Sequence, residues 1–511
     1  MLDSIGDALT LTAGKYPDKI GIIDFDQKRF TFREFLERVN SLANSLRDIG
    51  ISKGDKVAYL FFNSSHFLET HFAVAKIGAV GVPLNFRLVG RELIYQISNS
   101  DTICLIYGSE FISTIKQIKN EIPNVKYYIC DGEEGEGVLK FEDLIKSGST
   151  KEPGIDVNLY DENVILYTSG TTGLPKGSVL THKNSLFNAM TMIMDYGLKR
   201  NDIFQIIPPL YHSASLNGFS ITGVLLGATM VIHKQFDPKE MLQAIESEKI
   251  TATWGPATML RAVITHPEIN NYDTSSIRLI VNGAMYMPAN MRKEVLKYFP
   301  NAVMGDTYGM TEASPCTTIL PPEDALRKPE AVGIPLTICD VKIFDDQGQE
   351  LPKGEVGEIV TRGNIMKGYY KNEEATSKAI KGGWFYTGDL GKKDEEGFIY
   401  LVDRKKDMIV TGGENVYSKE VEGVISTYPG VYEVAVIGLP DEKWGEVVTA
   451  IISPLPGYTL TEEEIIEHCR KNLAGYKCPK IIKFIPELPK NPSGKIVKMK
   501  LKEKFEKELK P

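Results

Sequence analysis

The chain has 511 residues, of which 42% are hydrophobic and 25% are charged, and its formal net charge is −8. This length allows more than one hydrophobic core, and the composition is typical of a globular protein. The negative charge provides no overall basic field for nucleic acid, so nucleic-acid binding is not expected. The six cysteines form no CxxC pair and no zinc spacing with the seven histidines, which favours free thiols in the cytoplasm.

The sequence predicts no membrane-spanning segment. The N-terminus MLDSIGDALT has no basic region and no long apolar core, so no signal peptide is expected. Between Gln205 and His233 there is no Asp, Glu, Lys or Arg, but prolines, serines and glycines interrupt the apolar runs. We therefore predict a buried loop and a core helix beside a ligand pocket. The oligomeric state, monomer or homodimer, is left open.

Strand and helix patterns alternate from Thr31 to Asp306. Short runs rich in valine and isoleucine predict buried strands: KVAYLFF, DTICLIYG, NVILYTSG, GATMVIH and SIRLIVNG. Longer amphipathic runs predict helices: REFLERVNSLANSLRDIG and PKEMLQAIESEKI. This alternation predicts α/β layers with largely parallel sheets.

The pattern changes from Asp340 to Arg404, where VKIFDDQGQEL, GEIVTRG and GFIYLVDR predict short strands of a small β-subdomain.

A compact C-terminal region follows VDRKKDMIVTGGENVY. We predict a helix from Ser418, strands in GVYEVAVIGLP and EVVTAIISP, and a helix opened by a Thr461/Glu464 capping box. A strand in IIKFIPELP and a lysine-rich final helix complete a small α+β domain.

The segment YTSGTTGLPKGS, from Tyr167 to Ser178, predicts a phosphate-binding loop. It is not a Walker A loop, because Pro175 precedes Lys176 and Gly177 follows it. Its glycines still permit close approach of backbone N–H groups to an anion, its hydroxyls add donors, and Lys176 adds charge. The alternative is an ordinary surface turn, which three glycines, four hydroxyls and a Pro-Lys pair disfavour.

Several other segments carry residues suited to ligand chemistry. They are VNGAMYMP at 281–288, DTYGMTEAS at 306–314, WFYTGDLG at 384–391 with Asp389 in a predicted turn, VDRKKDMIVTGGENVY, and NPSGKI at 491–496. Each alone is compatible with a solvated turn. In this order they resemble the adenylate-forming superfamily of acyl-CoA synthetases, peptide-synthetase adenylation domains and beetle luciferases, over nearly the whole chain.

The resemblance implies a large N-terminal domain of two α/β subdomains and a β-subdomain, with a small mobile C-terminal domain. By the family pattern, the N-terminal AMP-binding domain covers residues 1–404, a hinge 405–407 and the mobile domain 408–511. Lys406 is the expected pivot. The implied activity is that of an acid–thiol ligase, which uses ATP, Mg²⁺ and coenzyme A.

In the implied reaction a carboxylate attacks the α-phosphate of ATP, and a thiol then displaces AMP. The expected catalytic residues are Lys495, between the carboxylate and the α-phosphate; Glu312, which with Thr168 would hold Mg²⁺; and His212, near the carboxylate. The phosphates are expected to contact the loop from Thr168 to Lys176, comprising Thr168, Ser169, Gly170, Thr171, Thr172, Gly173 and Lys176.

For the nucleoside, the resemblance implies adenine stacked on Tyr308, with Gly283, Ala284 and Met285 on its other side. Asp306 is expected to accept from the adenine amino group, and Asp389 with Arg404 to bind the ribose. Thr311 is expected at the α-phosphate. The remaining expected nucleotide contacts are Thr307, Gly309 and Met310.

The expected CoA-binding residues are Gly412, Gly413, Trp444 and Lys477. The expected acyl pocket includes Tyr211, His212, Asn217, Gly218, Trp254 and Met259. This mostly apolar set, with no aspartate for an α-ammonium group, favours a fatty or aromatic acid over an amino acid. For His212 a packed core histidine is the alternative, and for the lysine-rich C-terminal helix a solvated helix is favoured over CoA binding.

Two features depart from the family pattern: Asp403 stands before Arg404 where many relatives have glycine, and Asp306-Thr307 precede Tyr308. Three hypotheses remain open at this point. The favoured one is an acyl-CoA synthetase. The second is an acyl-adenylate enzyme with another acceptor, such as a carrier-protein loader or a luciferase-like oxygenase. The third is a silent nucleotide-binding protein, which Lys495, Glu312, Asp389 and Arg404 disfavour.

Overall fold

A computed structural model describes residues 2–132, 135–168, 174–490 and 495–509. The chain forms two compact units: Met1–Val341 with Thr361–Phe385, and Lys342–Val360 with Tyr386–Pro511. The predicted hinge at 405–407 therefore lies within the second unit, and the division at residue 404 stays a prediction. The predicted phosphate-loop residues Ser169, Gly170, Thr171, Thr172 and Gly173 lie outside the described residues, as do residues 491–494.

Helices and strands alternate through the first third of the chain. They are α1 (Ile5–Lys15), β1 (Ile20–Ile23), β2 (Arg29–Thr31), α2 (Phe32–Asp48), β3 (Lys56–Leu60), α3 (Ser65–Lys76), β4 (Val80–Pro83), α4 (Arg91–Asn99), β5 (Thr102–Tyr107), α5 (Ile112–Ile118), β6 (Tyr127–Cys130), β7 (Leu139–Lys140) and α6 (Phe141–Ser147).

The same alternation continues to the end of the first α/β region. The elements are β8 (Glu162–Thr168), β9 (Lys176–Thr181), α7 (His182–Asp195), β10 (Ile203–Ile206), α8 (Ile221–Leu226), β11 (Thr229–Ile232), α9 (Pro238–Glu248), β12 (Ala252–Gly255), α10 (Ala257–Ile264), β13 (Leu279–Gly283), α11 (Ala289–Tyr298), β14 (Val303–Gly309), β15 (Cys316–Leu320) and β16 (Ile334–Pro335).

Short strands and the C-terminal elements follow. They are β17 (Asp340–Phe344), β18 (Gly357–Arg362), β19 (Gly368–Tyr369), α12 (Glu373–Ala379), β20 (Ile380–Lys381), β21 (Trp384–Lys393), β22 (Ile399–Arg404), β23 (Ile409–Thr411), β24 (Glu414–Val416), α13 (Ser418–Ser426), β25 (Val431–Asp441), β26 (Gly445–Pro454), α14 (Glu462–Asn472), β27 (Ile481–Phe484) and α15 (Lys498–Leu509).

Two large sheets form the first unit. Among the described residues one has the strand order β16-β15-β14-β13-β12-β10-β11-β1-β2, and the other has the order β19-β9-β8-β4-β3-β5-β6-β7. The strands β10 to β14 pair in parallel, as do β3 to β6 and β8 with β4. The predicted α/β fold with largely parallel sheets is therefore confirmed. The carboxyl ends of such strands are where ligands are commonly bound.

The C-terminal part of the second unit agrees with its predicted element order. Helix α13 begins at Ser418, and Thr461 with Glu464 forms the predicted capping box of α14. Strand β26 lies between β25 and β23 and also pairs with β27. The hairpin of β23 and β24 was not predicted. Its strands have three residues each, too few to give a periodic signal.

One local prediction needs correction. Asp389 lies within strand β21 and not in a turn, since Gly388 adopts φ +73° and the strand continues through it. The uncharged segment at 205–233 contains the predicted loop and core helix, of which the helix begins as a π-helix, Ala214–Ser220, and continues as α8; the segment also includes the end of β10 and all of β11. In the described residues, no helix is both long and apolar enough to cross a membrane.

Candidate active site

Three segments of the first unit bring Glu312, Thr168, Tyr369 and Lys176 together. Glu312 lies in a short 3-10 helix, Thr311–Ala313, directly after β14, and only 8% of it is exposed. Its Oε1 lies 3.4 Å from the Thr168 Oγ1 and accepts a 2.9 Å hydrogen bond from the Tyr369 hydroxyl. The Lys176 ammonium lies 4.7 Å from the centre of the Tyr369 ring. A carboxylate, a hydroxyl and a cation thus share one corner of the site.

The strands β8 and β9 set the positions of Thr168 and Lys176. They pair antiparallel with Thr168 opposite Lys176, so the predicted phosphate loop connects two adjacent strand ends. Tyr167 and Thr168 follow a buried run at Val164–Leu166, which anchors the hairpin in the core. Residues at both ends of the loop are therefore held by the sheet.

The oxygen atoms of Glu312 and Thr168 fit a magnesium ion. Mg²⁺ is bound by hard oxygen ligands and commonly takes one or two protein groups, with water and phosphate oxygens completing its shell. Among the described residues no group of three or more His, Cys, Asp or Glu side chains suits a metal. A single carboxylate with one hydroxyl is consistent with an ion that depends on substrate phosphates, and does not suit a structural metal.

The predicted adenine site lies at the ends of β13 and β14. These strands pair in parallel, with Asn282 opposite Asp306 and Gly283 opposite Thr307. After β13, Ala284 adopts φ +64°, and Met285 is 46% exposed. Tyr308 is partly buried, two residues beyond Asp306 on the same strand. The two sides expected to enclose the base therefore come from adjacent strand ends.

Asp306 is already paired with an arginine that the sequence reasoning did not select. Arg292, from α11, is fully buried and donates from Nη1 and Nη2 to the two carboxylate oxygens of Asp306, at 3.1 and 2.5 Å. The backbone carbonyl of Asp306 accepts a 2.8 Å hydrogen bond from the Tyr196 hydroxyl. The predicted acceptor of the adenine amino group is thus fixed on two sides.

In the second unit, Asp389 and Arg404 stand opposite each other on β21 and β22. The Arg404 Nε lies 3.4 Å from the Asp389 Oδ1, and the Asp389 side chain is 11% exposed while that of Arg404 is 46% exposed. The Asp389 amide donates to Thr387 Oγ1, whose hydroxyl donates to the Ile359 carbonyl. The structure therefore brings the two predicted ribose residues together on a rigid strand pair.

Asp403, just before Arg404, is a buried carboxylate with several donors. Its oxygens accept from the Ser418 hydroxyl at 3.1 Å and from the Lys419 N–H at 3.4 Å. Ser418 in turn accepts a 2.5 Å hydrogen bond from Lys498, which also pairs with Glu422 at 2.7 Å. This network connects the end of β22 to α13 and α15.

The predicted pivot and the predicted catalytic lysine both lie in the second unit. Lys406 lies within the turn in which the Asp407 and Met408 amides donate to the Arg404 carbonyl. Its neighbour Lys405 forms ion pairs with Asp346 at 2.7 Å and with Glu358 at 3.1 Å. Lys495 is exposed and precedes Ile496, which forms an isolated bridge with Lys490.

Among the predicted CoA residues, Gly412 contacts Trp444, whereas Lys477 is paired with a carboxylate. The Gly412 amide donates to the Trp444 carbonyl at 2.8 Å, and a Cβ on Gly412 would lie 2.9 Å from the Trp444 ring. Gly413 adopts φ +84° and has open space around its Cα. Lys477 instead forms 2.7 and 2.8 Å hydrogen bonds with Glu420.

A lysine that the sequence reasoning missed lies on Trp444. The Lys480 ammonium is 3.7 Å from the centre of the Trp444 ring, and that of Lys443 is 4.9 Å away. Trp444 is itself 39% exposed. This partly open aromatic ring with two cations provides a stacking surface beside positive charge.

Most of the predicted acyl-pocket residues are buried in the first unit. Tyr211 and His212 stack obliquely, with ring centres 4.4 Å apart, and Trp254 stacks on Phe219 with centres 5.3 Å apart and planes 8° apart. Asn217 lies in the π-helix and donates to Ser314 Oγ. A Cβ on Gly218 would lie 3.6 Å from Pro315. Met259 packs on Gly255, and a Cβ on Gly255 would lie 1.9 Å from the methyl carbon of Met259.

Comparison with known proteins identifies the family. The family described as AMP-binding enzyme matches residues 9–370, and the AMP-binding enzyme C-terminal domain matches residues 420–495. The chain belongs to the AMP-binding enzyme family. The predicted superfamily and the prediction of an enzyme are thereby confirmed.

Named members of the AMP-binding enzyme family are similar over almost their whole length. A feruloyl-CoA synthase from Amycolatopsis is 38% identical over 93% of this chain and 94% of its own. A long-chain-fatty-acid–CoA ligase from Mycobacterium tuberculosis is 36% identical over 93% of both chains. The ATP-bound crystal structure of MatB from Rhodopseudomonas palustris has 30% identity and a TM-score of 0.90, and covers 99% of this chain and 100% of that one.

Three residues at the site were missed by the sequence reasoning: Tyr369, Arg292 and Lys480. Each acts through a partner far away in sequence, namely Glu312, Asp306 and Trp444. The available signals were a tyrosine pair in MKGYYKN, an arginine in ANMRKEVLKY and a lysine in AGYKCPK. None of these patterns is distinctive. The individual roles of all predicted site residues stay predictions.

Proposed function

We propose that this member of the AMP-binding enzyme family converts a hydrophobic carboxylic acid, aromatic or fatty, to its CoA thioester through an acyl-adenylate. The reaction class of an ATP-dependent carboxylate–CoA ligase agrees with the named relatives over more than nine-tenths of this chain. The structural observation that carries the proposal is the convergence of Thr168, Lys176 and Glu312 around Tyr369. It provides the charges that a nucleoside triphosphate requires.

In the first step a carboxylate oxygen attacks the α-phosphorus of ATP, and the bond to pyrophosphate breaks. Both reactants are anions, so the reaction needs positive charge where negative charge develops. We assign Lys176 to the leaving phosphates and Lys495 to the α-phosphate and the carboxylate. Thr168 and Glu312 would hold Mg²⁺, which supplies further positive charge when bound.

The nucleoside would be held by residues with matching chemistry. Tyr308 provides a face for stacking on adenine, with the 283–285 turn on the opposite side. Asp389 is suited to the ribose diol because a carboxylate accepts two hydrogen bonds at once. Arg404, 3.4 Å from Asp389, keeps that carboxylate oriented and can donate to ribose oxygens.

In the second step the thiol sulfur attacks the acyl carbonyl carbon, the bond to AMP breaks, and the thiol proton is lost. We assign Trp444, with Lys480 and Lys443 at its ring, to CoA: the indole stacks and the ammonium groups attract phosphate. Gly412 and Gly413 would border the pantetheine arm. Lys477 is less suited, because Glu420 already neutralises its charge. Lys406 remains the proposed pivot between the two steps.

The acid is assigned from the character of the predicted pocket. The predicted pocket segments carry two aromatic pairs, Phe219 with Trp254 and Tyr211 with His212, and the segment from Tyr211 to Ser220 has no carboxylate to bind an α-ammonium group. The similarity to a feruloyl-CoA synthase and a long-chain-fatty-acid–CoA ligase supports both acid classes. We also propose a cytoplasmic location, since none of the six cysteines, all of which are described, forms a disulfide.

The test is a panel of acids assayed for pyrophosphate, AMP and acyl-CoA, each with and without CoA. We expect pyrophosphate release with cinnamate-like and medium-chain fatty acids, and AMP and thioester only when CoA is present. Lys495→Ala serves as the inactive control for adenylation, and Lys500→Ala, on α15, as its matched lysine control. Acyl-adenylate that accumulates and transfers to no CoA would indicate another acceptor, and absence of pyrophosphate with every acid would overturn the proposal.

A further inference from the structure

Arg292, the buried partner of Asp306, has no role in the chemistry described so far. Arg292 is 0% exposed, and its two terminal nitrogens donate to the two carboxylate oxygens of Asp306 at 3.1 and 2.5 Å. Its third nitrogen, Nε, has no partner among the described residues. Burying a guanidinium is costly unless a carboxylate neutralises it, so a buried arginine at this position needs an explanation.

The pair is closed on one side and open on the other. The Arg292 side chain is inaccessible, whereas the Asp306 side chain keeps 13% exposure. Asp306 and Tyr308 are two residues apart on β14, so their side chains point to the same face of the strand. The arginine therefore stands behind the carboxylate, and the open edge of the carboxylate lies on the face that carries the proposed stacking tyrosine.

The arginine defines what that open edge can bind. Each carboxylate oxygen uses one lone pair on Arg292 and keeps another, and an ionised carboxylate only accepts hydrogen bonds. The two parallel bonds to a planar guanidinium also fix the carboxylate plane. A purine with an amino group at C6 donates to such an edge. A purine with a keto group at C6 presents lone pairs to it and is repelled.

We propose that Arg292 is a positioning residue that, through Asp306, makes the nucleotide site selective for a 6-amino purine over a 6-keto purine. This inference rests on the proposed function, because it takes the end of β14 as the base site. It adds a residue from α11 that would contact neither the base nor the phosphates. It also predicts that base selectivity is lost when the pair is broken, even where the strand remains intact.

The same sheet offers a matched control. Arg278 donates from Nε to Asp202 Oδ1 at 2.7 Å, in a second arginine–aspartate pair. Arg278 precedes β13 and Asp202 precedes β10, so this pair lies at the opposite ends of the parallel strands from the base site. Its loss is expected to lower the melting temperature without changing base selectivity.

The experiment compares ATP with ITP, which differ at C6, in the wild type and in Arg292→Met, Arg292→Lys and Arg278→Met. We expect the ratio of kcat/KM for ATP to that for ITP to fall at least about tenfold in Arg292→Met, because a base-edge acceptor has lost its orientation. Arg292→Lys is expected to restore part of the ratio, and Arg278→Met to keep it. An unchanged ratio in folded Arg292→Met overturns the inference.

A second variant and a second readout guard against misfolding and against failure of the proposed reaction. Arg292→Gln combined with Asp306→Asn removes both charges together and avoids a lone buried carboxylate. It is expected to lose selectivity as well, and retained selectivity contradicts the inference. Calorimetric binding of AMP and IMP measures base preference with no acid present. If the wild type prefers AMP, Arg292→Met loses that preference and no acid is activated, the proposed function fails while the inference stands.

Discussion

The Tyr369 hydroxyl donates a 2.9 Å hydrogen bond to Oε1 of Glu312, while the ring of the same tyrosine faces the Lys176 ammonium at 4.7 Å. One side chain therefore holds both the proposed metal carboxylate and the proposed phosphate lysine. Burial and the charge of Glu312 raise the pKa of Tyr369 well above its ordinary value, so the phenol remains a hydrogen-bond donor at any ordinary pH.

Tyr369→Phe keeps the ring beside Lys176 and removes only the hydrogen bond to Glu312. We expect kcat/KM for MgATP to fall by about 3- to 10-fold, with a higher Mg²⁺ requirement, since one hydrogen bond to a carboxylate is lost. Steady-state kinetics across a Mg²⁺ titration measure both. Tyr370→Phe is the control, because the Tyr370 hydroxyl donates to Asp101 instead. An unshifted Mg²⁺ requirement in Tyr369→Phe argues against the metal assignment.

Asp389→Ala tests the ribose assignment through the substrate itself. The wild type is expected to use 2′-deoxy-ATP less well than ATP, because 2′-deoxy-ATP lacks one of the two hydroxyl groups that would donate to the Asp389 carboxylate. In Asp389→Ala we expect kcat/KM for ATP to fall by about 5- to 150-fold and the penalty for 2′-deoxy-ATP to disappear. Asp346→Ala, which removes an exposed carboxylate paired with Lys405, is the control. A deoxy penalty that persists in Asp389→Ala assigns the hydroxyl to another residue.

Gly413→Leu tests the proposed pantetheine path. No neighbouring atom meets a Cβ at Gly413, so a leucine has space there but would obstruct a ligand that passes the double glycine. We expect thioester formation to fall by at least about tenfold, with pyrophosphate release on adenylation nearly unchanged. Gly457→Leu carries the same backbone strain at φ +86° and open space, away from Trp444. Equal losses in both half-reactions would place the effect outside the thiol step.

His66 predicts a pH dependence of stability. Burial opposes its charge, but hydrogen bonds to Asp131 and Glu142 outweigh burial and raise the pKa of His66 from 6.5 to about 10. Between these values the folded state holds a proton that the unfolded state has lost. The contribution of His66 to the free energy of unfolding should therefore be complete below pH 6.5. It should fall as pH rises toward 10, by up to about 1.4 kcal/mol per pH unit.

Urea unfolding of the wild type and His66→Gln between pH 6.5 and 9.5 measures how the His66 contribution to the free energy of unfolding depends on pH. The lysines and tyrosines that titrate in this range are common to both proteins, so the difference between the two curves isolates His66. We expect the two proteins to converge in stability as pH rises. Parallel curves would mean that the histidine is neutral in the folded state.

The sequence predicted those features of the fold that local patterns determine. Buried runs such as Val164–Leu166 and the Thr461/Glu464 capping box carry their own signal, and the structure contains both the strand and the cap. Asp389 was misplaced because its TGD motif looks like a turn. Gly388 allows the strand to continue there, held by a 3.0 Å hydrogen bond from the Gly388 amide to Glu358.

The candidate site was less predictable where its contacts join distant segments. Glu312 was selected from its motif, but its partner Tyr369 lies 57 residues further along the chain. Arg292 sits on a helix whose pattern identifies only which face is buried, and a buried arginine contradicts that pattern unless its carboxylate partner is known. Such pairs depend on the packing of one element against another, and the hydrophobic periodicity of a single segment contains no information about that packing.

The buried carboxylate of Asp403 has a kinetic consequence for the proposed pivot at Lys406. Two of its three donors, the Ser418 hydroxyl and the Lys419 N–H, lie beyond that pivot, so rotation there withdraws both together, while the Arg404 N–H stays in place. A buried carboxylate that keeps only one of three donors is costly, and partly rotated arrangements are therefore scarcely populated. Exchange then proceeds between discrete states across a barrier. A substitution at Ser418 would change the rate of that exchange, and hence turnover, without altering any group assigned to a substrate.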